Sequence, residues 1–269
     1  MRLSFITANS PRFCLALALS LAALVPSVQA QSFEAVRLAP GQEGGRIGLV
    51  AIAGTQYRGS DERRTLVVPG IDYQWRNGWF AGVGNGVGYN AARRPDLQYG
   101  ARLTLDLGRA ESRSEVLRGM GDIPIQGELG LFFNRLWGPR LALTSSLRHG
   151  SGTQRQGLVL DLGASYGVPL GAQTRLSLGM GAHWANAEHL QDFFGVTPAQ
   201  SARTGYAVSS PGAGWRNVNL NLGLSHRLDA RTSLIGGLSR SALQGAARDS
   251  VLTRESATTS AVLALSYAY

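Results

Sequence analysis

The stretch Tyr99-Gly100-Ala101-Arg102-Leu103-Thr104-Leu105-Asp106-Leu107-Gly108 alternates apolar and small or polar side chains without a slip. Successive side chains of a β-strand point to opposite faces. One face here is Tyr99, Ala101, Leu103, Leu105 and Leu107, and the other is Gly100, Arg102, Thr104, Asp106 and Gly108. The pattern returns in 158–168, 174–184 and 218–228. In the last of these, Val218, Leu220, Leu222 and Leu224 oppose Asn219, Asn221, Gly223 and Ser225.

A soluble β-sandwich also alternates, because each of its sheets has a wet face. Two features point to a membrane barrel instead. Several segments are nine or more residues long, near the ~9–11 that a tilted strand needs to cross an outer membrane. Aromatics also sit at segment ends, where interfacial girdles belong: Tyr57, Tyr73, Trp75, Trp79, Tyr89, Tyr99, Trp184, Tyr267 and Tyr269. After residue 30 no run approaches the ~18 apolar residues of a spanning helix. Only helices and closed barrels satisfy every backbone group inside lipid. The expected fold is therefore all-β, a single antiparallel up-and-down transmembrane barrel surrounded by outer-membrane lipid.

Eleven segments qualify as strands: 46–57, 64–76, 78–90, 98–108, 123–136, 139–149, 157–168, 172–186, 214–228, 231–240 and 257–269. A bacterial barrel needs an even number, because both termini face the periplasm. Twelve is favoured over ten, with the unplaced strand in 109–122 or before residue 46. Tight turns are expected at Arg76-Asn77-Gly78, Trp137-Gly138-Pro139, Pro169-Leu170-Gly171 and Leu228-Asp229-Ala230. The count back from Tyr269 puts the Asn77-Gly78 turn on the wrong side, which is how the missing strand shows itself.

Residues 1–30 read as a secretory signal. Arg2 and Arg12 precede or flank an apolar run over 13–25, Pro26 breaks it, and Val28-Gln29-Ala30 offers small residues to a peptidase. Cleavage is expected between Ala30 and Gln31, followed by a loose arm over 31–45 and the barrel over 46–269. This export places the protein in the cell outer membrane. The one cysteine, Cys14, lies inside the apolar run, too early for lipidation. The mature chain then lacks disulfides, thiolate metal sites and cysteine nucleophiles.

The formal charge is +9, and it becomes +7 once Arg2 and Arg12 leave. All of the fixed cations are arginines, spread over the whole length with no run of five or six. No basic run marks a nucleic-acid site. Inward positions include Arg64, Asp72, Arg76, Arg102, Asp106, Glu128, Arg140, Arg148, Asp161, Arg175 and Arg227. Two readings stand side by side. The charges pair across a filled lumen, since an unpaired buried charge is costly; or they line a narrow solute path with a slight anion preference.

Catalytic chemistry finds little support. The histidines are His149, His183, His189 and His226. A Ser-His-acid site needs one of them beside a serine and a carboxylate. His149 precedes Ser151 and His189 precedes Asp192, but sequence proximity does not assemble a triad. His189-x-x-Asp192 offers two metal ligands and no more. The run Gly84-Asn85-Gly86-Val87-Gly88 lacks the strand–turn–helix setting of a phosphate loop and reads as small inward residues of a strand. No enzyme activity and no cofactor is expected. The final segment places Leu263, Leu265, Tyr267 and Tyr269 on one face. An apolar closing strand ending on an aromatic resembles the signal read by the barrel assembly machinery.

Several stretches resemble the MipA/OmpV family of outer-membrane proteins, in order along nearly the whole mature chain. They are Tyr57-Arg58-Gly59-Ser60-Asp61, Val68-Pro69-Gly70-Ile71-Asp72-Tyr73, Gly86-Val87-Gly88-Tyr89-Asn90 and Leu117-Arg118-Gly119-Met120-Gly121-Asp122-Ile123. Phe193-Phe194-Gly195-Val196-Thr197-Pro198, Ser239-Arg240 and Ala247-Arg248-Asp249-Ser250 follow. Family members often carry Ser-Pro after that last Asp, where this chain has Ser250-Val251. The resemblance implies a non-enzymatic scaffold that bridges a lytic transglycosylase and a peptidoglycan synthase. It equally implies a stress-responsive outer-membrane protein or an adhesin, and the residues do not choose among these. Physically, Gly59-Ser60-Asp61 reads as a turn and Thr197-Pro198 as a helix start. The long connection 187–213 is the segment most suited to a partner surface.

Overall fold

The computed structural model describes residues 38–269. The expected signal sequence, the junction of Ala30 and Gln31, and residues 31–37 of the expected arm lie outside the described residues. Twelve strands close into a barrel in sequence order: β1 (Gly44–Thr55), β2 (Arg63–Gln74), β3 (Trp79–Gly82), β4 (Gly86–Asn90), β5 (Leu97–Asp106), β6 (Gln126–Trp137), β7 (Leu141–Ser151), β8 (Gly157–Pro169), β9 (Thr174–Ala185), β10 (Gly214–Arg227), β11 (Thr232–Leu243) and β12 (Ala257–Ala268). Neighbours are antiparallel throughout. The seam is β1 on β12, from Arg46 opposite Ala268 to Ala53 opposite Ala261.

The strand missing from the sequence count is neither in 109–122 nor before residue 46. It comes from dividing 78–90, which was expected to be one strand. β3 and β4 form a short hairpin, with Gly82 opposite Gly86 across Val83-Gly84-Asn85. Gly86 holds φ +73, a conformation that glycine adopts without a Cβ clash. Asn-Gly at a three-residue hairpin loop is therefore turn chemistry. On that ground Gly84 is a turn residue and Gly86 opens β4 at the turn, while Gly88 is an inward strand residue as expected. Residues 109–122 instead hold two short 3-10 turns, Glu111–Arg113 and Glu115–Leu117.

The division repairs the topology. The short connections at 75–78, 91–96, 138–140, 170–173 and 228–231 all fall at the end that carries Leu38 and Tyr269. This is the periplasmic end of an outer-membrane barrel, and the long connections mark the extracellular end. Tyr73 packs on Trp75 at 4.9 Å and on Tyr269 at 6.1 Å, and Trp79 packs on Tyr89 at 5.6 Å. These rings form a girdle at the periplasmic rim.

β6 shows why the wall holds. Its inward Gln126, Glu128, Phe132 and Asn134 are buried, whereas its outward Leu129 and Leu131 are 65% and 59% exposed. A one-residue slip would send Glu128 into lipid, so the register is strongly specified. Pro69 has a similar logic. Val83 donates to the Ile71 carbonyl, so the odd residues of β2 aim their backbone at β3. Pairing with β3 covers only Asp72 to Gln74. Pro69 therefore sits where a backbone N–H would meet no ladder partner, and a proline loses nothing there.

Candidate functional site

The extracellular end is closed by four loops, 56–62, 107–125, 186–213 and 244–256. The third holds α1 (Ala187–Phe194) and α2 (Pro198–Thr204), and the fourth holds α3 (Gly245–Arg248). One buried cluster joins Ile123, Leu190, Phe193, Phe194 and Ala247 to Val159, Ala185 and Leu243 of the wall. A second joins Tyr57, Leu117, Met120, Val196 and Leu252. Four loops that share two apolar cores form a packed lid.

The motif residues build this lid. Tyr57 is buried and its hydroxyl donates to the Leu252 carbonyl at 2.9 Å. The Gly59 carbonyl accepts from the N–H groups of Arg254 and Glu255. Buried Ser60 accepts from Glu62 N. The Glu111 carboxylate receives the N–H groups of Gly119 and Gly121, and Asp122 receives that of Glu111. Ser250 donates to the Phe194 carbonyl at 2.6 Å. Gly195 stands at the end of α1, its N–H bonded to Gln191 O. Thr197 caps α2 through a reciprocal pair with Gln200, and Pro198 opens the helix, as its N1 preference dictates. Gln200 and Arg203 then donate to the Met120 and Gly119 carbonyls. Asp61 and Asp249 face solvent, Asp249 against Arg248. The motif stretches 68–73, 86–90 and 239–240 instead lie in the wall, in β2, β4 and β11.

Below the lid, polar groups run along the wall rather than across the lumen. Arg148 pairs with Glu128 on one side and Asp161 on the other. His183 bridges Asp161 at 2.7 Å and Asn219 at 2.8 Å. This belt links β6, β7, β8, β9 and β10, each to its neighbour. The expected pairing across the interior is thereby corrected to pairing between adjacent strands. Arg76, Arg140 and Arg227 are not lumen residues: they stand exposed at the periplasmic rim, where the strands have already ended or are ending.

Ser151 and His189, not Ser151 and His149, come together. Ser151 Oγ lies 2.9 Å from His189 Nδ1, and Arg216 Nη1 lies 3.0 Å from His189 Nε2. A guanidinium only donates, so Nε2 is the acceptor and Nδ1 carries the proton. That proton points at Ser151, so the ring cannot take the serine proton as a general base would. Burial, and after it the Arg216 charge, hold the imidazole well below the ordinary histidine range, which keeps it neutral. The trio is a buried structural link. Among the described residues no three His, Cys, Asp or Glu gather as a metal site.

A cavity of about 120 Å³ lies between lid and belt. Its upper wall carries Arg58, Arg109 and Arg113, and its sides are hydroxyls and amides of β10, β11 and β12, with no Asp or Glu among the lining residues. These arginines were not singled out in the sequence. The one signal for them was Arg58 beside Tyr57 in the first motif.

Residues 47–269 match the family model described as "MltA-interacting protein MipA". No curated protein matches the sequence. Among solved structures, a KdgM porin is similar with 10% identity over 82% of this chain and 98% of its own, at TM-score 0.46. A NanC porin gives 10%, 81%, 98% and 0.44. The outer membrane channel DcaP of Acinetobacter baumannii gives 9%, 86%, 100% and 0.39.

Proposed function

The chain belongs to the MltA-interacting protein MipA family, and from that premise we propose that it is a non-enzymatic outer-membrane anchor for peptidoglycan-remodelling enzymes. In this reading it holds a lytic transglycosylase, and through it a peptidoglycan synthase, against the inner face of the membrane. The observation that carries the reading is the contrast of the two barrel ends. All bulky loops fold outward into the lid, which leaves the periplasmic face as flat, short turns. That face is rich in exposed arginine: Arg76, Arg93, Arg94, Arg140, Arg227 and Arg231. Of these, Arg76 and Arg94 are paired with Glu43 and Asp96, and Arg231 lies near Asp229, whereas Arg93, Arg140 and Arg227 make no ion pair among the described residues. A cationic face steers and orients an acidic partner. The Ser151–His189–Arg216 tautomer supports the non-enzymatic part.

The test is a pull-down of a purified lytic transglycosylase by the detergent-solubilised barrel. Capture that weakens when Arg93 and Arg140 are replaced by Glu supports the reading. No capture at all overturns it. The outward Leu263, Leu265, Tyr267 and Tyr269 serve, in the same proposal, as the signal for the barrel assembly machinery. Loss of folded protein in the membrane on Tyr269→Ser is the expected result.

A second reading, a small-solute path or receptor, is favoured by the cavity under the lid. Planar bilayers decide between an open path and a closed anchor. Stable conductance steps would sink the closed anchor.

A further inference from the structure

We propose that the chamber under the lid is a binding site for a small organic acid or inorganic oxyanion. The inference is independent of the anchoring reading, because it rests on the opposite end of the barrel.

Three arginines from two loops converge on this space. Arg58 and Arg113 have no side-chain hydrogen bond or ion pair among the described residues. Arg109 is 3% exposed and is held only by the carbonyls of Phe193 and Asp192, with its Nε bonded to nothing. Behind them Arg216 is 1% exposed and touches only neutral partners, Asn217 and His189, with Nη2 unbonded. Asp106, Asp161 and Glu128 act on Arg58 through space and Asp161 on Arg216, but none of these carboxylates lines the chamber or bonds these arginines; Asp106 gives one oxygen to Gly108 N and keeps its other oxygen buried and unbonded. Buried cations with neutral partners leave charge that a bound anion would compensate.

The remaining lining suits the same ligand. Ser241 accepts from Asn217 Nδ2, which leaves its own hydroxyl proton to donate. At about 120 Å³ the chamber is close in size to a cavity that holds one benzene. It therefore accommodates a dicarboxylate of three or four carbons, or a sulfate. Planar guanidinium forks match carboxylate oxygens in pairs.

The experiment uses the full mature barrel folded in detergent, with thermal unfolding followed at constant ionic strength. Malonate and sulfate are titrated against sodium chloride and against glycerol. A saturable rise in melting temperature with malonate or sulfate, absent with chloride and glycerol, is the expected result. Arg58→Gln should weaken the apparent affinity at least tenfold and Arg113→Gln severalfold. Neither side chain makes an internal bond, so both variants keep the heat-modifiable gel shift of a folded barrel. Arg93→Gln at the periplasmic rim should leave the affinity unchanged. No saturable effect, an equal effect of glycerol, or full retention in Arg58→Gln overturns the proposal. Transglycosylase capture by Arg58→Gln stays at the wild-type level, so failure here leaves the anchoring reading standing.

Discussion

The two ends of this barrel are built by different physics. At the periplasmic end the turns carry short-range bonds, such as Asn77 Oδ1 accepting from Trp79 N and Asp229 Oδ1 from Arg231 N and Thr232 N, and neighbouring turns are tied by bonds such as Arg227 to the Ala172 carbonyl. At the extracellular end short turns and caps, such as Thr197 with Gln200, are joined by bonds between separate loops. Tyr57 bonds Leu252 across 195 residues, Arg109 bonds Phe193 across 84, and Ser250 bonds Phe194 across 56. The periplasmic turns exist wherever the strands exist. The lid exists only when four separate loops have met. The difference makes the lid a cooperative unit, and we predict that it opens without unfolding the wall.

The strongest way to break that unit is Tyr57→Ala. It removes a buried ring and its hydroxyl bond, a truncation worth roughly 3–5 kcal/mol for a large aromatic. Trypsin should then cut at Arg118 and Arg254 in the lid, while the heat-modifiable band of the barrel persists. A variant whose barrel unfolds along with the lid would show that the two are not separable.

Alkali should open the same unit in the unmutated protein. Burial, partly opposed by the Arg254 charge, raises the Tyr57 phenol to about 12. A raised folded value means that the stabilisation is complete below the ordinary tyrosine range and is lost as pH climbs through 12. The loss is about 2–3 kcal/mol at roughly 1.4 kcal/mol per unit. Lid proteolysis should therefore rise between pH 10 and 12, and Tyr57→Phe should flatten that rise. An identical rise in Tyr57→Phe would assign the effect to another group.

Gly59→Ala sharpens the picture at a single backbone position. Gly59 holds φ +92, and a methyl there would come within 2.8 Å of Thr253 Oγ1 and 3.2 Å of its Cα. Strain of this kind costs about 1–3 kcal/mol. A milder version of the Tyr57→Ala cleavage pattern is expected. Wild-type protease resistance would mean that the loop yields freely.

The smallest effect on stability belongs to the opposite end. Arg93→Gln and Arg140→Gln should change stability by less than about 0.5 kcal/mol, as exposed positions do. Partner capture should fall nonetheless. A large shift in melting temperature would show that the rim, too, is held by distant contacts.

Much of this was legible in the chain itself, and the parts that were not share a cause. Alternation in 99–108 and 158–168 placed strands that the structure keeps within a few residues, because a strand's two faces are written locally. The even count pointed to a missing strand but misplaced it. Gly84-Asn85-Gly86 fits a strand's small face and a hairpin turn equally well until the pairing of Gly82 with Gly86 decides. Ser151 stands beside His149 in the sequence, but the histidine it bonds is His189, 38 residues away. The motifs Tyr57-Arg58-Gly59-Ser60, Gly119-Met120-Gly121-Asp122 and Val196-Thr197-Pro198 were recognised singly. That they form one lid was not, since each contributes only one wall of a shared core.

By itself the sequence determined an exported chain of alternating strands with a lipid-facing side, because period-two patterning and apolar length act residue by residue. The tertiary structure alone decided where the twelfth strand lies, that the charges run along the wall, and that the loops close over an arginine-lined chamber. Those features depend on which distant segments share a neighbour, and only closure of the barrel brings those segments together.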